Sequence, residues 1–269
     1  MAQNSGERND ESGSEDRRPV ERLTAGEPVA ATWISLGEPA IAEIASELGF
    51  DLAFFDAEHT QFDLETVVHH VRALESAGST ASVLRVPSGD PTYLKRVLDI
   101  GLSGVMVPMV ETAADAESVV EATTYPPDGR RGTGVARAQA YGESLGPYFE
   151  SADEQLLRIP QIETTTAVEN VEEIVAVDGI EALFLGPLDL SVSLGSIGDY
   201  HSEQWVESVE TVLEASHDED TPVGIIAGDE DELEYFHDLG FDWQIVGLDV
   251  GYLRAGATES LETYRSLGD

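Results

Sequence analysis

Short apolar runs recur along the chain, and stretches with helical spacing separate them. Alternation of such runs with amphipathic helices predicts parallel strands with helices outside. Eight runs are present: Val29–Ile34, Leu52–Phe55, Ala81–Arg85, Gly104–Pro108, Leu156–Ile162, Ala182–Gly186, Pro222–Ala227 and Trp243–Gly247. Eight such units in 269 residues predict an α/β fold, a single-domain (β/α)8 TIM barrel.

Start and stop signals bound the predicted elements. One helix is predicted from Pro39 to Leu48, ended by Gly49, and another from Pro91 to Ile100, ended by Gly101. Residues 1–22 are polar and charged and predict a disordered tail ahead of a barrel domain of residues 23–269. The connection between the fourth and fifth strands is long, which is typical of functional or interface segments.

The net charge of the chain limits the classes of partner that it can bind. The formal net charge is −39 and Lys95 is the single lysine, which argues against binding to nucleic acid or anionic membranes. Such a surface predicts a protein of a salt-rich cytosol, where screening shortens repulsion. The N-terminus lacks the apolar region of a secretory signal and no apolar run spans a membrane, so we expect a cytoplasmic protein. The absence of cysteine excludes disulfides and thiolate sites.

Two carboxylates follow neighbouring predicted strands at the end where barrel enzymes carry their catalytic groups. Glu163 follows the fifth strand and Asp189 the sixth. Such a pair suits a hard divalent cation, with Mg²⁺, Mn²⁺ and Co²⁺ all acceptable, although both residues can equally be solvated loop acids. Gly186 permits close backbone approach, and Pro187 opens a short helix whose free N–H groups attract an anion.

A histidine and an arginine stand at two other strand ends. The second apolar run stops at Asp56-Ala57-Glu58-His59, and His59 is the one histidine just past a strand end. It can act as a base near neutral pH, or it can be a surface residue. Arg85 ends the third run and is either an anion clamp or the partner of an acid. Lys95 lies mid-helix, which argues against Schiff-base chemistry and leaves carbanion chemistry to a metal.

Several motifs in a shared order resemble one family, the HpcH/HpaI class II aldolases, which are metal-dependent pyruvate aldolases of the phosphoenolpyruvate/pyruvate barrel superfamily. The resemblance runs from about Thr32 to Leu253. The motifs are Asp56-Ala57-Glu58-His59, Arg85 with Pro87-Ser88-Gly89-Asp90-Pro91, Leu98-Asp99-Ile100-Gly101, Gly129-Arg130-Arg131-Gly132, Gln161-Ile162-Glu163-Thr164 and Gly186-Pro187-Leu188-Asp189-Leu190-Ser191. Two departures are Ala57, where glycine or threonine is common, and Val86, which separates Arg85 from Pro87.

The resemblance implies a role for each candidate residue. Glu163 and Asp189 match the metal ligands, and Gln161 lies beside them. His59 matches the catalytic base, Asp99 its carboxylate partner, and Arg85 the residue that holds the pyruvyl oxygen. The backbone of Gly186, Pro187, Leu188 and Asp189, continuing to Leu190, would hold the pyruvate carboxylate.

The implied reaction is the reversible cleavage of a 2-oxo-4-hydroxy acid to pyruvate and an aldehyde. The substrate would be a 2-keto-3-deoxy sugar acid or a 4-hydroxy-2-oxo-diacid. The resemblance also implies a homo-hexamer, a trimer of dimers that exchange a C-terminal helix.

Three alternatives remain. A CoA-thioester lyase of the citrate-lyase β-subunit or malyl-CoA type shares the barrel and the Glu/Asp pair, but His59 and the lack of a basic patch argue against it. A phosphoenolpyruvate-mutase or isocitrate-lyase relative would in many cases use a cysteine, and none is present. A non-catalytic barrel subunit is disfavoured because Glu163, Asp189, His59 and Arg85 are all retained.

Overall fold

The computed structural model describes residues 19–267, and its strands form one closed parallel barrel in sequence order. The strands are β1 Ala30–Ile34, β2 Leu52–Asp56, β3 Ala81–Arg85, β4 Gly104–Val107, β5 Leu157–Ile162, β6 Leu183–Leu185, β7 Val223–Ile226 and β8 Trp243–Leu248. Each strand pairs with the next, and β8 pairs with β1 to close the ring. The predicted (β/α)8 barrel is confirmed.

Apart from the first, which precedes β1, the helices follow the strands, and most of them cover the outside of the barrel. They are α1 Pro19–Thr24, α2 Pro39–Leu48, α3 Leu64–Ala77, α4 Pro91–Leu98, α5 Ala113–Thr123, a 3-10 helix Arg137–Gly142, α6 Leu145–Ser151, α7 Thr165–Glu169, α8 Val171–Val175, α9 Pro187–Ser193, α10 Glu203–Asp218, α11 Glu230–Leu239 and α12 Asp249–Ser266. Gly49 ends α2 in the left-handed region with a φ of 86°, as its position predicts. Helix α4 ends at Leu98, two residues earlier than expected.

Two buried layers separate the inside of the barrel from the helix-facing side. Phe55 and Leu84 belong to the layer between strands and helices. Phe54 and Val83 belong to the layer inside the barrel. Because strand side chains alternate between the two faces, Asp56 and Arg85, each two residues further on, point into the barrel at the carboxyl ends of their strands.

Stacked aromatic rings fill the middle of the barrel. The ring of Phe54 lies 6.0 Å from that of Trp33 and 5.5 Å from that of Trp243, in nearly parallel planes. Phe184 packs beside both tryptophans. These rings close the interior, so polar chemistry is confined to the mouths of the barrel.

Helix α1 covers the mouth at the amino ends of the strands. Its Leu23 is buried against the interior layer, and Arg22 pairs with Asp51 at the start of β2. Residues 19–22 of the predicted tail therefore lie in this packed helix, while residues 1–18 lie outside the described residues. Within residues 19–267, no helix is both long enough and apolar enough to cross a membrane.

Candidate active site

The carboxyl-end mouth of the barrel gathers most of the predicted residues. Asp56 and Arg85 are the last residues of β2 and β3. Glu163 directly follows β5, and Asp189 lies in the first turn of α9, after β6. Because the strands are parallel, all these ends meet at one mouth.

Asp56 holds Arg85 in a fixed position. The two residues are register partners in β2 and β3, and Asp56 accepts from Arg85 Nε at 3.0 Å and from Nη2 at 2.7 Å. The guanidinium carbon also lies 4.6 Å from the centroid of the Trp33 ring. A buried bidentate pair on an aromatic face preorganises the arginine for an anionic ligand.

Glu58 lies between the arginine and the histidine. Its Oε2 is 3.2 Å from Arg85 Nη1 and 3.7 Å from His59 Nε2. Burial raises the pKa of Glu58, the charges of Arg85 and His59 act to lower it, and those of Asp56 and Asp189 act to raise it. The His59 side chain is 67% exposed, so it can reach a ligand in the mouth.

Glu163 is a buried carboxylate held by the main chain. Its Oε1 accepts the backbone N–H of Met109 at 2.7 Å, and Met109 has the left-handed φ of 55° that is uncommon outside glycine. Burial raises the pKa of Glu163 to about 7; the Met109 N–H acts to lower it, and the charges of Asp189 and Glu58 act to raise it. The carboxylate is thus repelled by two others across the mouth.

Gly186 and Gln161 shape the space beside Glu163. A Cβ on Gly186 would lie 2.8 Å from the Cβ of Glu163 and 2.9 Å from its Oε2, so only glycine fits without a shift. Gln161 is 1% exposed, and its Oε1 is buried without a hydrogen-bond partner among the described residues. An unsatisfied amide oxygen on Gln161, which faces the barrel interior on the same side of the chain as Glu163, is an arrangement that a cation would complete.

These groups fit a divalent cation that keeps open positions. Among residues 19–267 no group of three or more His, Cys, Asp or Glu side chains is arranged to hold a metal ion. Two carboxylates, Glu163 and Asp189, are nevertheless the ligand number that Mg²⁺ commonly takes from a protein, with water or substrate oxygens in the other positions. Burial is the main cause of the raised pKa of Glu163, and a cation would relieve the smaller contribution from repulsion by Asp189 and Glu58.

Asp99 lies outside the carboxyl-end mouth, and within one chain it does not reach His59. It caps the end of α4, ahead of β4, and therefore lies toward the amino-end mouth. A strand of five residues separates the two mouths by about 16 Å. Asp99 Oδ1 lies 3.9 Å from Nη2 of the buried Arg131, whose guanidinium stacks 4.4 Å from the Tyr125 ring centroid. The predicted His59–Asp99 pair is not formed within the chain.

Four features of the site were absent from the sequence-based assignment. They are the clamp by Asp56, the bridge by Glu58, the N–H of Met109 and the support from Trp33. Strand alternation was the available signal for Asp56, since it shares a face with Leu52 and Phe54. No sequence signal identifies the backbone donor.

Comparison with known proteins gives a family match over most of the chain. The family model described as HpcH/HpaI aldolase/citrate lyase matches residues 30–255. A 4-hydroxy-2-oxovalerate aldolase of Novosphingobium aromaticivorans is 40% identical, over 87% of this chain and 88% of that protein. A hydroxypyruvate/pyruvate aldolase of Chromohalobacter salexigens is 36% identical, over 93% and 98%. The crystal structure of a family member from Burkholderia cenocepacia superposes with a TM-score of 0.88 at 34% identity, covering 91% of this chain and 98% of that one.

Proposed function

The chain belongs to the HpcH/HpaI aldolase/citrate lyase family, and from that premise we propose that it cleaves a 2-oxo-4-hydroxy acid reversibly to pyruvate and an aldehyde. The predicted family and the enzyme class, an aldolase, are confirmed by these relatives. The observation that carries the proposed reaction is the meeting of Glu163, Asp189, Glu58 and Arg85 at one mouth, where Glu163 is buried and the charges of Asp189 and Glu58 act to raise its pKa. The two named relatives act on different compounds, so the aldehyde is left to experiment.

Glu163 and Asp189 are the proposed ligands of a divalent cation, with Gln161 beside them. Mg²⁺, Mn²⁺ and Co²⁺ all accept such oxygen ligands. When bound, the cation supplies a Lewis acid that stabilises negative charge on the 2-oxo oxygen. The Met109 N–H holds Glu163 in place before any ligand arrives.

Arg85 and the start of α9 are the proposed anion-binding groups. Asp56 and Trp33 fix the guanidinium, so it can stabilise charge on the substrate oxygen without first reorganising. Helix α9 begins at Pro187, and the backbone from Gly186 through Leu188 to Leu190 would receive the substrate carboxylate. Gly186 allows that backbone to approach Glu163.

His59 is the proposed base. In the cleavage direction, the imidazole takes the proton of the C4 hydroxyl, the C4–O bond becomes a carbonyl, and the C3–C4 bond breaks. The electron pair of that bond passes into the enolate of pyruvate. C3 of the enolate then takes a proton from water, and the protonated His59 gives its proton to the resulting hydroxide. In the synthetic direction His59 returns the proton to the new hydroxyl group.

Exchange of the pyruvate methyl protons tests this proposal without knowledge of the aldehyde. The protein would be incubated with pyruvate in D₂O and molar KCl, with Mn²⁺ or with EDTA, and followed by NMR. We expect exchange that requires the metal and is abolished by Glu163→Gln. Glu169→Gln, an exposed acid at the end of α7, is the matched control and should leave exchange unchanged. Absence of exchange in the folded wild-type protein would contradict an aldolase and favour a thioester lyase or a non-catalytic barrel.

An assembly of several copies is proposed from the C-terminal helix. Asp249, its first residue, is anchored by the backbone N–H groups of Ser35 and Leu36, at 3.0 and 2.8 Å. Every described residue from Val250 onward is exposed. Beside the helix lies a largely apolar groove of about 400 Å³, lined by residues of α2 and the start of α12.

We propose that two copies exchange α12, with the helix of each covering the groove of the other, and that such dimers form a hexamer. Apolar side chains on both surfaces, including Leu48 on α2 and Leu253 on α12, would lose their exposure to water. Within a single chain, Asp99 and His59 lie toward opposite mouths of the barrel. Asp99 can therefore take its predicted role only as a residue of a second copy.

Molar mass in solution tests the assembly. Leu48, 72% exposed, is replaced by Glu, and Ile197, 75% exposed on the loop after α9, is replaced by Glu as the control. By size-exclusion chromatography with light scattering, L48E should shift toward smaller species and I197E should keep the wild-type mass. An unchanged mass for L48E would place the interface elsewhere.

A further inference from the structure

We infer that Arg131 is the positioning residue of Asp99, the guanidinium that holds this carboxylate in place within its own chain. For its catalytic meaning the inference rests on the proposed aldolase function, in which Asp99 serves His59 of a second copy, while the pairing itself is a separate structural claim. The motif Gly129-Arg130-Arg131-Gly132 contains two arginines, and the family resemblance implies a role for neither.

Arg131 is a buried cation with one acid beside it. Its side chain is 1% exposed, and its Nη2 lies 3.9 Å from Asp99 Oδ1. Among the described residues, Asp99 is the one acid within ion-pair distance of this guanidinium. A charge is tolerated in a protein interior when an opposite charge and hydrogen bonds compensate its loss of water. Asp99 therefore supplies the counter-charge that keeps Arg131 buried, and the two side chains depend on each other.

Two tyrosine rings and two hydrogen bonds fix the guanidinium. Its central carbon lies 4.4 Å from the centroid of the Tyr125 ring and 5.9 Å from that of Tyr148. Nη2 donates to the Tyr148 hydroxyl at 2.9 Å, and the backbone N–H of Arg131 donates to the Thr124 carbonyl at 2.9 Å. A planar guanidinium stacked and bonded in this way has one orientation, so it is a rigid support for a carboxylate.

Asp99 is held by the same long connection that carries Arg131. Its carbonyl accepts the backbone N–H of Ala138 at 3.1 Å. Burial raises the pKa of Asp99, and the charges of Arg131 and Lys95 act to lower it. Arg131 thus favours the ionised carboxylate, which is the form that accepts a hydrogen bond from an imidazole.

Unpaired polar atoms show that this cluster is incomplete in a single chain. Four buried side-chain atoms have no hydrogen-bond partner among the described residues: Asp99 Oδ1, Arg131 Nε, Tyr125 Oη and Gln139 Nε2. Buried polar groups in folded proteins are nearly always paired, so four of them around one ion pair indicate a further partner. The approach of a second copy would supply it, which agrees with a role for Asp99 outside its own barrel.

Turnover of single and double variants separates positioning from packing. Pyruvate release from 4-hydroxy-2-oxovalerate, a 2-oxo-4-hydroxy acid used as the probe, is measured with Mn²⁺ in molar KCl for wild type, Arg131→Met, Asp99→Asn and the double variant, all as the full chain. We expect R131M to lower kcat about tenfold with little change in KM, because Arg131 is buried away from the substrate. In the D99N background the same change should lower kcat by less than about twofold, since the carboxylate through which Arg131 acts is already altered. Arg131→Lys keeps the charge but loses the planar fork, so its kcat should lie between those of R131M and wild type.

Arg130→Met is the matched control. Arg130 precedes Arg131 in the chain, but its side chain is 52% exposed and pairs with Glu121. R130M should keep the wild-type kcat. Tyr148→Phe is the milder second variant, since it removes only the hydroxyl that accepts from Arg131 Nη2. Its kcat should fall about threefold, and only while Asp99 is present.

Urea unfolding reads the pairing without turnover. The loss in free energy of unfolding in the double variant R131M/D99N should be clearly smaller than the sum of the two single losses, as for residues in direct contact. Additive losses would overturn the pair. Wild-type kcat in R131M, or the same loss of kcat with and without Asp99, would overturn the positioning role. Failure of the aldolase proposal would instead appear as absence of pyruvate proton exchange in the wild-type protein, with the urea result intact.

Discussion

A single methyl group added at Gly186 probes how tightly the carboxylate site is packed. Gly186 has φ and ψ of −82° and 95°, a conformation open to any residue, so alanine introduces no backbone strain. Its Cβ would meet the Cβ of Glu163 at 2.8 Å. Rotation of the Glu163 side chain cannot relieve this contact, because the Cβ is fixed to the backbone. The separation must grow beyond 3.0 Å, and to 3.4 Å for ordinary contact, so the carboxyl ends of β5 and β6 have to move apart.

Two consequences follow for Gly186→Ala. Overpacking of this kind lowers the free energy of unfolding by about 1–3 kcal/mol. Displacement of Glu163 by a large fraction of an ångström lowers kcat/KM by about tenfold to a hundredfold. That loss corresponds to about 1.4–2.7 kcal/mol of transition-state stabilisation.

Gly146→Ala is the matched control. Gly146 lies in α6, and a Cβ there has no neighbour within 4 Å. Alanine in a helix should leave activity unchanged and stabilise the fold by about 0.5–1 kcal/mol. Urea unfolding, Mn²⁺ affinity by calorimetry and pyruvate proton exchange would be measured for both variants. Wild-type Mn²⁺ affinity and exchange in G186A would refute the claim that Glu163 and the backbone at Gly186 form one packed unit.

Three further predictions concern charge. Asp56→Asn should lower the free energy of unfolding, measured in urea, by about 1–3 kcal/mol, since Arg85, with a side chain 12% exposed, loses one of its two carboxylate partners and keeps Glu58; unchanged stability would contradict the pair with Asp56. The raised pKa of Glu163 means that the metal-free folded protein binds more protons than the unfolded chain between pH 4.5 and about 7. Its free energy of unfolding should therefore fall as pH rises through that window. The affinity for Mn²⁺ should rise over the same window, and a pH-independent affinity would count against a raised pKa of Glu163. At a net charge of −39, the urea midpoint should rise between about 0.1 M and about 2 M KCl, and a falling midpoint would show that repulsion is not limiting.

The strand pattern was predictable because it is local. Every apolar run contains or overlaps one strand, and Ala81–Arg85 coincides with β3. The helix from Pro39 to Leu48 also matches in full, since Pro39 begins it and Gly49 ends it. The start of the barrel domain was less visible. Helix α1 has only six residues, and it is stabilised by the packing of Val20 and Leu23 against the barrel rather than by a periodic pattern of its own.

The sequence also predicted the positions of the site residues at the strand ends, but it did not predict their contacts. Glu163 and Asp189 stand at strand ends because parallel strands all finish at one mouth. The pair between Asp56 and Arg85 depends on the register of β2 against β3, which follows from packing of the whole barrel. The Met109 N–H contacts Glu163 because Met109 has an uncommon positive φ, and a methionine in the sequence does not predict that conformation.

The sequence by itself determined the order of strands and helices, the closed barrel, the family and the set of chemical groups, because periodicity and motif spacing are properties of neighbours along the chain. Only the tertiary structure decided that Glu163 is buried among other carboxylates, that Glu58 bridges Arg85 and His59, and that Asp99 lies toward the opposite mouth. Burial, register and through-space charge depend on residues distant in sequence. These interactions contribute free energy only in the folded barrel.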